Sequence, residues 1–264
     1  MLYSKSFFKS DSHEWVVFLH GVGGSSSIWF KQLRDFRQKF NVLLIDLRGH
    51  GKSQDSPKMK KKYYTLYDVS EDVIQVMDEQ HITKAHFVGI SIGTVVIRTI
   101  ADMEPQRIQS MIMGGAITKL NTKSKFLFNF GNIVRHFMPY MWLYKLFAYI
   151  VMPMKAHTES RTIFIKEAQK ACHEEFVKWY RLIARDMQPF LLKFAKRDTG
   201  LPTLYLMGEQ DHMFLPQVKK LVQKQASAIL QVITGSGHVC NVDKAETFND
   251  TCIEFIKKHS PKFA

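Results

Sequence analysis

Ala85-His86-Phe87-Val88-Gly89-Ile90-Ser91-Ile92-Gly93-Thr94-Val95-Val96 decides the fold class of this chain. Ala85–Gly89 reads as a strand buried on both faces, and Ile92–Met103 as the helix that follows it. Between them, Gly89-Ile90-Ser91-Ile92-Gly93 fits G-x-S-x-G. A serine in so sharp a strand-to-helix turn needs small residues two before and two after it, where neighbouring backbone comes close. The turn presents the hydroxyl at the carboxyl end of a sheet, where open α/β sheets bind ligands.

The same alternation runs outward in both directions. Trp15–His20, Val42–Asp46, Ser110–Gly114, Thr203–Met207 and Leu230–Ile233 are further strand-type runs, most of them continuously apolar. Ile28–Phe40, Leu66–Gln80 and Lys244–His259 are helical, with Val69, Val73, Val76 and Met77 at helical spacing. This predicts the α/β class: a mostly parallel sheet with helices on both faces. From Ala116 to Leu201 the alternation stops, and the chain is helical, aromatic and basic. The expected organisation is a core of residues 1–115 and 201–264 with a helical cap, 116–200, inserted into it.

A serine hydroxyl is a poor nucleophile without a base. His238, in Gly235-Ser236-Gly237-His238 after the last strand, stands on a loop able to bring an imidazole to the serine. Histidine suits that work because it accepts a proton near neutral pH. Asp211, in Gly208-Glu209-Gln210-Asp211, follows the Thr203–Met207 strand and is the candidate to orient the imidazole. Glu209 is the rival carboxylate, nearer the strand end and better placed to shape the turn. The order Ser91, Asp211, His238 is the hydrolase order of the triad, not that of chymotrypsin or subtilisin. Oxyanion donors are expected from the backbone N–H of Val22, in His20-Gly21-Val22-Gly23-Gly24, and of Ile92. A phosphate-loop reading of Gly49–Ser53 fails, because the required first glycine falls on Asp46.

HGVGG at 20–24, DLRGHGKS at 46–53, GISIG at 89–93, GEQD at 208–211 and GSGH at 235–238 together resemble the α/β-hydrolase superfamily, in its small bacterial esterase-like branch. The resemblance spans roughly residues 15 to 264. It implies a structural role for Asp46–Ser53 and a first hairpin reduced to one strand near Leu2–Phe8. Dehalogenases and epoxide hydrolases of this fold carry Asp where this chain has Ser91. The menaquinone-pathway synthase carries Arg where this chain has Val95. Thr94 stands where many relatives have a second glycine. The implied activity is carboxylic ester or thioester hydrolysis through an acyl-enzyme. Alternatives on the same fold are a slow-turnover ligand receptor or signalling protein, and a cofactor-free peroxidase-like activity.

Bulk properties bound the rest. With 264 residues, 45% apolar and 23% charged, the chain is long enough to bury a large core. Cys172, Cys240 and Cys252 match no zinc spacing and point to a reducing cytoplasmic setting; the implied acyl-enzyme reaction needs no metal or organic cofactor. Cys240 reads as a buried free thiol. The formal net charge is +13, and residues 115–200 hold fifteen Lys or Arg against six Asp or Glu. Lys58, Lys60, Lys61 and Lys62 make a second basic knot. No nucleic-acid motif accompanies them. The partner expected is a small ester or thioester, with an acidic carrier protein or an anionic membrane surface as candidates for the basic cap. Phe137–Met154 is interrupted by Lys145, Pro139 and Pro153, and reads as a lid or pocket segment, with peripheral membrane contact as the alternative, not as a spanning helix. Phe126, Phe128, Phe130, Phe137, Met138, Tyr140, Met141, Trp142, Leu143 and Phe147 are expected to wall an acyl pocket.

Overall fold

The computed structural model describes residues 1–54, 61–134, 137–170 and 172–260. Lys58 and Lys60 fall outside them. Seven strands form one sheet in the order β1-β3-β2-β4-β5-β6-β7. They are β1 (Ser4–Phe7), β2 (Trp15–Leu19), β3 (Asn41–Ile45), β4 (Ala85–Ile90), β5 (Ile108–Gly114), β6 (Thr203–Gly208) and β7 (Ala228–Ile233). Only β1 is antiparallel, paired to β3 at the edge; the remaining pairs are parallel.

Strand alternation builds two apolar layers. Val17, Leu19 and Phe87 face one core, with α2 (Leu66–Glu79), α3 (Ile92–Met103) and α9 (Leu215–Val222) over it. Val16, Phe18, Val88 and Ile90 face the other, under α1 (Phe30–Arg37) and α10 (Ala245–Lys258). α2 starts where Thr65 and Asp68 cap each other: Asp68 N–H donates to Thr65 Oγ1 at 3.1 Å, and Thr65 N–H to Asp68 Oδ2 at 2.9 Å.

Two strand and helix expectations shift. The segment from Ile28 opens as a 3-10 turn, Ser26–Trp29, capped by Ser25, and the α-helix proper ends at Arg37. The β7 strand, expected over Leu230–Ile233, starts at Ala228 and leaves Ile229 54% and Val232 37% exposed. It is the outer strand opposite β1, and among the described residues no further strand pairs with it.

Between β5 and β6 lie five α-helices: α4 (Thr122–Val134), α5 (Tyr140–Val151), α6 (Thr158–Ala168), α7 (His173–Arg181) and α8 (Met187–Ala195). This is an inserted helical region; a one-turn helix, Lys155–His157, precedes α6. The 46–53 motif ties it down. Trp179 of α7 donates its indole N–H to the Arg48 carbonyl at 2.9 Å, while Arg48 pairs with buried Asp72 at 2.6 Å. Glu175 of α7 accepts from the Tyr64 hydroxyl at 2.7 Å and occupies the space a Cβ on Gly49 would need. Among the described residues no helix is long and apolar enough to cross a membrane.

Candidate active site

The strand–turn–helix at Ser91 is as sharp as its sequence implies. Ser91 sits at φ 56°, ψ −122°, a conformation L-residues rarely hold. Its amide is fixed by the Gly114 carbonyl at 3.0 Å. The flanking glycines are steric requirements. A Cβ on Gly93 would stand 2.3 Å from the Leu19 carbonyl oxygen, and one on Gly89 would stand 2.6 Å from Ile97 Cδ1. Gly21 approaches from the loop after β2, where a Cβ would lie 3.2 Å from Ser91 Cβ. Thr94, in place of a second glycine, donates its hydroxyl to the Ser91 carbonyl at 2.6 Å.

Asp211 follows β6 and is wholly buried. Its Oδ1 accepts from the Phe214 N–H at 3.0 Å, and its Oδ2 lies 2.8 Å from His238 Nδ1. An Nδ1–H donated to that carboxylate leaves Nε2 of the neutral ring as the acceptor. Glu209 is elsewhere: exposed, it accepts the Gly235 N–H at 3.1 Å and holds the turn of the histidine loop.

Ser91 and His238 open on one cavity of about 160 Å³. Gly21, Val22 and Ile92 line it beside them. Ile92 is the first residue of α3, where backbone N–H groups lack intrahelical partners. The walls are apolar apart from Ser91, His238, Tyr144, Glu167 and Tyr180. Of the described aromatic and apolar side chains expected to make them, only Phe147 does so. The wall comes from their neighbours on the inner helix faces: Leu127, Tyr144, Ala148, Val151, Phe164, Phe176, Ile183 and Met187. Leu143 is buried within the inserted helices, whereas Phe126, Phe137 and Trp142 are 72%, 88% and 67% exposed. The side chain of Phe128 lies outside the described residues. Helical periodicity explains the error, because a stretch crowded on all sides does not reveal its inner face.

Cys240 does not line the cavity. It is buried, its thiol on the Leu206 carbonyl at 3.4 Å and pushed up to about 12 by burial. Cys252 is buried as well, and Cys172 is exposed. Among the described residues no three His, Cys, Asp or Glu side chains are grouped to hold a metal.

A sequence profile described as the alpha/beta hydrolase fold matches residues 14–142. The profile agrees with the sheet order and the elbow above. The chain has an α/β-hydrolase-superfamily fold of esterase-like type. This hydrolase is 25% identical to an Acinetobacter baylyi protein provisionally named carbamate hydrolase RutD, over 97% of this chain and 98% of that one. Its fold matches an enol-lactonase from Burkholderia xenovorans LB400 with a TM-score of 0.80 at 21% identity, covering 97% and 96% of the two chains. A Pseudomonas aeruginosa hydrolase matches with a TM-score of 0.81 at 21% identity, over 97% and 94%. The profile and the sequence relatives together support a carboxylesterase-like enzyme.

Three functional supports of the hydrolase escaped the sequence. His20 and His50, taken only as parts of glycine motifs, hold the loop beside Ser91. His20 Nε2 accepts from Leu47 N–H and His50 Nε2 from Gly23 N–H, both at 2.9 Å. Their Nδ1–H groups donate to the Gly21 and Arg48 carbonyls. The signal was there: a histidine opening one motif and another inside the next. The third, His157, is buried in the inserted region with Nε2 2.8 Å from Gln210 Oε1. A Cβ on Gly237 would lie 2.6 Å from that Nε2, so His157 touches the loops of both Asp211 and His238. No local pattern points to it.

Acid should destabilise this hydrolase through its buried histidines. Burial lowers His20, holds His50 down to about 3, and holds His86 down to about 4 despite Glu14. The unfolded chain takes up these protons near pH 6.5 and the folded one does not. Stability is therefore full above about pH 6.5 and falls as pH drops toward 4, by about 1.4 kcal/mol per pH unit for each neutral histidine. Protonation would also place hydrogens against the Leu47 and Gly23 amides. Urea midpoints at pH 7, 6 and 5 should fall steeply; a flat profile refutes the assignment.

Proposed function

We propose that this hydrolase cleaves carboxylic esters or thioesters with an apolar acyl or aromatic group, through an acyl-enzyme on Ser91. The observation that carries this is the shared cavity: an elbow serine and a histidine bonded to a buried carboxylate open together on apolar walls. Ser91 Oγ attacks the carbonyl while His238 Nε2 takes its proton, and Asp211 steadies the imidazolium. The Val22 and Ile92 amides receive the oxyanion. His238 then protonates the leaving group, and water activated by the same imidazole releases the acid. Residues 116–200 act as a cap that closes the acyl side of the cavity and keeps out water.

Fluorophosphonate labelling followed by an acyl-length series tests the reading. Each buried methylene is worth up to about 0.8 kcal/mol, so kcat/KM should climb by up to about fourfold per carbon and level off when the cavity is full. A flat profile across neutral esters overturns the acyl-pocket assignment.

A further inference from the structure

The aromatic side chains that do not wall the cavity make a surface of their own. On α4, Phe126, Phe130 and Ile133 follow one another at helical spacing and are 72%, 41% and 66% exposed. The Phe126 and Phe130 rings stack with centroids 6.4 Å apart. Phe137 stands just beyond. On α5, Leu143, Tyr144 and Ala148 turn inward while Trp142, Lys145 and Tyr149 turn outward. These are also the cavity's helices: Leu127 of α4 and Tyr144, Phe147, Ala148 and Val151 of α5 line it from the other face. The two helices meet where a Cβ on Gly131 would lie 3.0 Å from Phe147 Cζ, and large apolar side chains left open on adjoining helices mark an interaction surface.

Charge says what covers it. Between Glu104 and Glu159 the sequence contains no Asp or Glu, while Lys119, Lys123, Lys125, Arg135, Lys145 and Lys155 fall within α4, α5 and their flanks. Lys125, Lys145 and Lys155 are exposed, and the Arg161 guanidinium lies over the Tyr149 ring at 4.5 Å. A second copy of the chain would set lysine against lysine across a two-fold contact. An acidic polypeptide would answer the lysines but leave Phe137 and Trp142 facing charge. An anionic bilayer surface answers both, with phosphates for the ammonium groups and the acyl boundary for the rings.

We propose that the outer face of α4 and α5 seats this enzyme peripherally on anionic phospholipid, with these two helices between the bilayer and the cavity. The inference goes beyond the ester-hydrolase reading and is tested apart from it, in the full-length Ser91→Ala protein, so that lipid turnover plays no part. That protein should sediment with vesicles of three parts phosphatidylcholine to one of phosphatidylglycerol, far less with phosphatidylcholine alone, and less at high salt. Trp142 emission should shift to the blue on binding: of the four tryptophans, Trp29 and Trp179 are buried and half-buried Trp15 packs against the core from β2. Adding Phe137→Ser and Trp142→Ser should weaken partitioning at least about tenfold, a loss of about 1.4 kcal/mol. The same pair beside an intact Ser91 should leave turnover of a short water-soluble ester unchanged, which reports the fold. Lys125→Glu with Lys145→Glu gives an independent reading and should weaken anionic-vesicle binding alone. Undiminished vesicle binding by both variant pairs overturns the proposal. So does polyglutamate binding as tight as that to vesicles, or a dimer that Phe137→Ser and Trp142→Ser dissolve while vesicles go unbound.

Discussion

Ser91→Ala is expected to lower kcat/KM for a p-nitrophenyl ester by about 10⁴–10⁶ and to abolish fluorophosphonate labelling. The size follows from what remains. Alanine keeps the elbow backbone and leaves Gly21, Gly89 and Gly93 in their close contacts, so the cavity and both amides persist. What is lost is the atom that forms the acyl bond, and with it the two-step route. Water would have to attack directly, without the positioned oxygen that the elbow presents. A thermal melt beside the assay shows whether the fold is retained. Labelling that survives in the variant removes Ser91 from the chemistry.

Asp211→Asn should reduce kcat by about 10⁴ with little change in KM. The Phe214 N–H donates to Oδ1, so the asparagine oxygen stays on that side and its NH₂ faces His238. An amide donor there favours the ring tautomer with Nδ1 bare and Nε2 protonated, which cannot take the serine's proton. The imidazolium also loses its counter-charge. Glu209→Gln should stay within about threefold of the parent, because a glutamine oxygen still accepts the Gly235 N–H. If the two results exchange, Glu209 and not Asp211 is the acid.

The central strands were legible because each is apolar along its length and bounded by turns. That pattern is the imprint of burial on two faces. The elbow was legible for a steric reason: few residues tolerate the Leu19 carbonyl where Gly93 lies. α9 was not read as a helix, since Leu215-Pro216 begins it with a residue that more often ends one, although proline suits a first turn. The outward face of α4 and α5 was misread because the helix period separates inside from outside only when one side is polar. Here both are aromatic. His157 lay beyond reach for another reason. Its partners, Gln210 and Gly237, are distant in sequence, and only the closed fold brings them to it.

The place of the inserted helices bears on how the chain is made. β5 and β6 are neighbours, with Met111 opposite Thr203, yet all five inserted helices are synthesised between them. At about 5–20 residues per second, the ribosome takes on the order of ten seconds to cross that interval. For that time the β1–β5 sheet ends in an unpaired strand of Met111, Ile112 and Met113. An open apolar edge is a template for pairing with other chains. The nascent half already holds Ser91 and the Gly114 carbonyl that fixes it, but neither Asp211 nor His238. The elbow is thus synthesised ahead of Asp211 and His238, and the hazard of misassembly falls in the gap between the two halves of the sheet.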